Sequence, residues 1–155
     1  MRPITASANI VEEDDVIVPA GPPQTYLGIA HNMLEGVVVL SKAAPHSLAL
    51  PFVAAHVLEC LLKAYLSRHG SDAEVKKRGV RHNLAALWRM CRADGLPIPE
   101  APEWVINLSH IHDEPYFLRY STNVHGLSTP GAEPMTSELR GLASIVSQNL
   151  GRPKQ

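Results

Sequence analysis

Cysteine is almost missing from this sequence, with two in 155 residues, and aromatic side chains are sparse at 5%. Cys60 and Cys91 have no near neighbour to pair with. That excludes a disulfide framework and predicts two thiols buried as small hydrophobes in a reducing, cytoplasmic setting. Charge of one sign is lacking too, since the net charge is −1, so bulk charge gives no pointer to a polyanionic partner. No stretch approaches the roughly 18 uninterrupted apolar residues of a membrane span. The opening MRPITASANI lacks the basic-then-apolar order of a secretory leader. There is no P-loop, no dinucleotide-binding glycine pattern and no Gly-x-Ser-x-Gly elbow. Internal repeats and convincing strand alternation are likewise missing, which excludes repeat arrays and β-rich folds.

What is present suits one globular domain, with 45% apolar and 19% charged residues. Residues 1–23 read as a flexible tail with the acidic run Glu12-Glu13-Asp14-Asp15, closed by the breaker Pro19-Ala-Gly-Pro-Pro23. Residues 24–151 read as helices. Tyr26, Ile29/Ala30, Met33, Val37 and Leu40 recur at helical spacing from Thr25 to Lys42, where Gly28 and Gly36 give room for a neighbouring helix. A second helix, from about Pro51 to His69, is apolar nearly all round, as a central core helix is, and stops at Gly70. Asn83 caps a third helix that ends before Gly95, Pro102 opens a fourth that Pro115 closes, and Ser137 caps a last one reaching Leu150. The expected fold is an all-α, up-and-down bundle of four to five helices.

The central helix carries an interruption. His56, Glu59 and Lys63 share one face at i, i+3 and i+7. Charges on a mostly buried helix cost free energy unless something satisfies them. Either the stripe is a solvated edge, or it meets the Arg81-His82-Asn83 junction or a second copy of the chain. From Lys63 to Arg92 eight Lys/Arg stand against Asp72 and Glu74, and the segment Lys76-Lys77-Arg78-Arg81 can attract phosphates. No aromatic residue interleaves with it, so stacking of bases on that segment is not expected. Trp88 and Trp104 fit core positions. His110-Ile-His112-Asp113-Glu114 offers only His110 and Glu114 on one helical face, two ligands against the three or four of a zinc site, so no metal is assigned and the group reads as a polar helix end.

His56-x-x-Glu59-x-x-x-Lys63, then Gly79-Val-Arg81-His82-Asn83-Leu84, then Arg119-Tyr120 resemble the motifs of the HEPN family. The resemblance spans roughly residues 24–150. It implies an all-α bundle, commonly a homodimer without cofactor, that binds RNA, nucleotide or a protein partner. It further implies a toxin–antitoxin, defence or stress setting, with an antitoxin or a separate nucleotidyltransferase as candidate partner. On these matching positions His56, Glu59, Lys63, Arg81, His82, Asn83 and Tyr120 become candidate binding residues.

Catalytic members of that family are metal-independent endoribonucleases with an Arg-x(4–6)-His motif, two copies of which meet across a dimer. Arg119-Tyr-Ser-Thr-Asn-Val-His125 fits that pattern and makes Arg119 and His125 the candidate catalytic pair. Histidine can take the proton from a ribose 2′-hydroxyl, while arginine stabilises charge on the phosphate. Active members carry a polar residue directly after the arginine, whereas Tyr120 here matches non-catalytic members. Both readings stand at this point.

Overall fold

A helix that is apolar nearly all round must be enclosed by others, and the architecture follows from that requirement. The computed structural model describes residues 21–120 and 124–153. Within them lie α1 (Gln24–Ala43), α2 (Ala49–Leu66), a short 3-10 turn (Glu74–Lys76), α3 (Leu84–Ala93), α4 (Glu103–His112) and α5 (Ala132–Asn149), with no strand among the described residues. The all-α bundle is therefore what the chain forms. α2 packs against each of the other four helices, and α1 against α5 and α3 against α4 complete the bundle. α2 is long and apolar enough to cross a membrane by composition alone, but most of it is buried inside the bundle.

Local chemistry accounts for both ends of α3 and the end of α2. Asn83 accepts a hydrogen bond from the Ala86 N–H at 2.9 Å and so caps α3. Gly95, at φ +90°, closes the same helix, with the Leu96 N–H reaching the Cys91 carbonyl and Leu96 buried beneath the turn. α2 stops at Leu66, three residues before the expected end. There Ser67 turns its hydroxyl back onto the Lys63 carbonyl, and the chain unwinds towards Gly70 at φ +96°.

Two expectations are corrected. Ser137 does not cap the last helix. α5 starts at Ala132 after Gly131, because Pro134 sits within the first turn, where proline is tolerated, and Met135 extends the buried stripe of Leu139, Leu142 and Val146 by one turn. Ser137 is exposed inside the helix. Gly28 and Gly36 do not receive a neighbouring helix, since among the described residues nothing lies within 4 Å of a Cβ built on either.

The thiols of Cys60 and Cys91 are buried, and burial pushes the Cys60 thiol up to about 11. Trp88 is a core residue that donates its indole N–H to the Pro99 carbonyl at 2.9 Å and meets the partly buried Trp104 edge-on at 6.3 Å. The acidic arm expected before residue 21 lies outside the described residues.

Candidate functional site

The polar residues of α2 are not a solvated edge. Glu59 and Lys63 are 5% and 6% exposed, inside the bundle. One helical turn apart, they form an ion pair of 2.6 Å between Lys63 Nζ and Glu59 Oε1. The other carboxylate oxygen, Oε2, accepts from His112 Nε2 at 2.7 Å and from His82 Nδ1 at 3.1 Å. α2, the turn ahead of α3 and the last turn of α4 thus converge on one carboxylate. Burial by itself would push the Glu59 carboxyl up. The hydrogen bonds from His112, Lys63 and His82, with the Lys63 charge, outweigh it and bring the group down to about 2. His112 is 1% exposed, and its Nδ1 is buried with no hydrogen-bond partner among the described residues.

His56, half-buried on the same helix, contacts the Cys60 sulfur at 3.8 Å rather than Glu59. Burial pushes its imidazole below the ordinary value, Glu59 opposes that, and His112, Arg119 and Lys63 add to the fall.

From the buried carboxylate a ladder of rings runs outward. His112 meets His82 edge-on at 5.9 Å, His82 meets Tyr116 at 5.9 Å, and Tyr116 meets Tyr120 at 6.1 Å. Tyr116 holds φ at +63°, a left-handed backbone that side chains other than glycine rarely take. The Arg119 guanidinium lies 5.7 Å above its ring, and Tyr120 is 63% exposed.

Arg78, Arg81, His82, Asp113, Glu114 and Tyr116 surround a small cavity of about 120 Å³ beside this ladder. Lys76 and Lys77 are engaged by Asp72 and Glu74 at 2.8 and 2.7 Å. Among the described residues no carboxylate comes within ion-pair distance of Arg78, Arg81 or Arg119. The 116–120 turn brings one aromatic ring, Tyr116, to Arg78 and Arg81, with Tyr120 against Tyr116.

Glu59, Lys63 and His82 thus come together, with Asn83 next to them serving as a helix cap. Arg81 and Tyr120 are exposed, Arg81 at the cavity beside His82 and Tyr116, and Tyr120 at the ladder's outer end. Arg119 and His125 are both exposed, and residues 121–123 between them lie outside the described residues.

His112 was missed from the sequence because pairing it with His110 places the two on different faces. His110 does face solvent, but His112 turns inward to a partner 53 residues away. Tyr116 gave no sequence signal apart from the proline before it.

No family model matches the chain, and neither a curated protein nor a solved structure is significantly similar to it.

Proposed function

We propose that this chain is a HEPN-like bundle that binds single-stranded RNA, or nucleotides of the same chemistry, where Arg78, Arg81 and Arg119 meet Tyr116 and Tyr120. One observation carries the reading. Guanidinium groups without carboxylate partners among the described residues stand beside two tyrosines that meet edge-on, the outer one exposed, and such a pairing of cations with rings is how sequence-tolerant sites hold a strand. Arginine meets the phosphates, bases lie on tyrosine faces, and Glu59 fixes His82 behind them. The toxin–antitoxin, defence or stress setting and the homodimer belong to the same proposal.

Fluorescence anisotropy with a labelled single-stranded RNA, in EDTA, tests it. Three phosphate contacts give a slope of log K against log salt of about −2. Arg78→Gln with Arg81→Gln lowers that slope by about 1.4. Tyr116→Ala or Tyr120→Ala weakens binding by about 1–3 kcal/mol whatever the sequence. Unchanged affinity in all of these variants refutes the reading. In the same buffer, RNA cleavage that disappears in Arg119→Ala and His125→Ala would make the protein an endoribonuclease as well as a binder.

A further inference from the structure

We propose that Glu59, His82 and His112 form a site for one divalent transition-metal ion of the zinc class. The three donor atoms, a carboxylate oxygen and two imidazole nitrogens, lie within 4.8 Å of one another. They come from segments far apart in sequence, so no helical periodicity forces them together. Two imidazoles and a carboxylate are the donor set of three-ligand zinc centres, whereas calcium and magnesium take oxygen donors.

The geometry is close to what an ion needs. At bonds of about 2.1 Å, tetrahedral ligands stand about 3.4 Å apart. Glu59 Oε2 is now 3.1 Å from His82 Nδ1 and 2.7 Å from His112 Nε2, so these two contacts have to open by about 0.3 and about 0.7 Å. On binding, each imidazole moves its proton to the other ring nitrogen and turns the freed lone pair to the ion. His82, partly exposed, can share that proton with water. His112 Nδ1 is buried without a partner among the described residues, which places the affinity below that of a closed four-ligand site.

Lys63 on Oε1 orients the carboxylate from outside the donor set. Of the three ligands only His82 lines the cavity of about 120 Å³, which has room for a few waters at about 30 Å³ each, so water reaches the ion from the His82 side. Asp113 and Glu114 line that cavity together with Arg78 and Arg81, so the negative charge that meets the ion is that of Glu59.

The test is Co²⁺ titration of the full chain after exhaustive EDTA dialysis, followed by the visible absorption of the bound ion. One equivalent per chain is expected, at least tenfold weaker in His82→Asn and in Glu59→Gln, and unchanged in His110→Asn. Histidine side-chain NMR of the wild type, read during Zn²⁺ addition, decides even if a variant misfolds, because the His82 and His112 signals should move and those of His31 and His110 should not. No stoichiometric uptake, uptake retained in both site variants, or zinc shifts confined to other histidines overturns the proposal. RNA binding, being measured in EDTA, succeeds or fails independently of it.

Discussion

Replacing Glu59 by glutamine tests how much of the fold depends on one carboxylate. The substitution keeps size and shape, removes the charge, and leaves Lys63 as a buried cation whose partner is gone. A carboxyl held at about 2 rather than the ordinary 4.5 contributes about 3 kcal/mol to stability. That agrees with the roughly 3–5 kcal/mol lost when one partner of a buried pair is removed. For a chain of this length the melting temperature should fall by about 6–12 °C. The sign of the pH dependence is fixed by the downward shift. The unfolded chain binds the extra proton between the two values, so the contribution is complete above about pH 4.5 and disappears as the pH falls towards 2. Urea unfolding in EDTA, followed by circular dichroism at several pH values, reads both effects. The midpoint should drop with the slope unchanged, and the gap between wild type and Glu59→Gln should narrow in acid. A loss below about 1 kcal/mol, or a gap that stays constant from about pH 5 to pH 3, refutes the account of Glu59 as the charged centre of the cluster.

Two further substitutions probe other parts of the molecule. Arg68 has a fully buried side chain that pairs with Asp94 at 2.6 Å, stacks on Tyr65 at 4.0 Å and donates to the Tyr65 and Arg152 carbonyls, each at 3.0 Å. Arg68→Leu should cost about 3–5 kcal/mol in urea unfolding, and a loss within experimental error would show that these bonds are replaced by water. Tyr116→Gly relieves the left-handed backbone, so stability should stay level or rise by up to about 1 kcal/mol while RNA affinity in the anisotropy assay falls. A parallel loss of stability and affinity would make Tyr116 a packing residue only.

How much the sequence revealed depended on how local each cause was. The apolar circumference of α2, the Asn83 cap and the glycine stop at Gly95 act within a turn or two and were legible, whereas α2 ends at Leu66, ahead of Gly70. The start of α5 was not, because Pro134 resembles a breaker unless the helix is known to begin just before it. Within the site, the cost of burying charge pointed from Glu59 and Lys63 to the His82 junction, and that contact is present. His112 could not be found in this way. Its inward orientation depends on how α4 packs on α2, which helix periodicity does not fix. The same limit hid the aromatic partner of the basic segment, since Tyr116 reaches it only through the fold.

The cluster is costly as a core element. Leucines in the place of a buried Glu–Lys pair and two histidines would pack without desolvating any charge, and such replacements are often neutral or stabilising. Stability alone therefore does not explain an ionised carboxylate at this position. Its position in the ring ladder does. His82 receives its orientation from Glu59 on one side and presents an edge to Tyr116 on the other. A tyrosine at φ +63° keeps that backbone only where its surroundings over-determine it. With apolar residues at positions 59 and 82, the ring of Tyr116 would lose the edge that holds it, and Arg119 above it would lose a fixed base. The buried charge is then best understood as the anchor of an exposed surface, linking the core of the bundle to the face proposed to bind RNA.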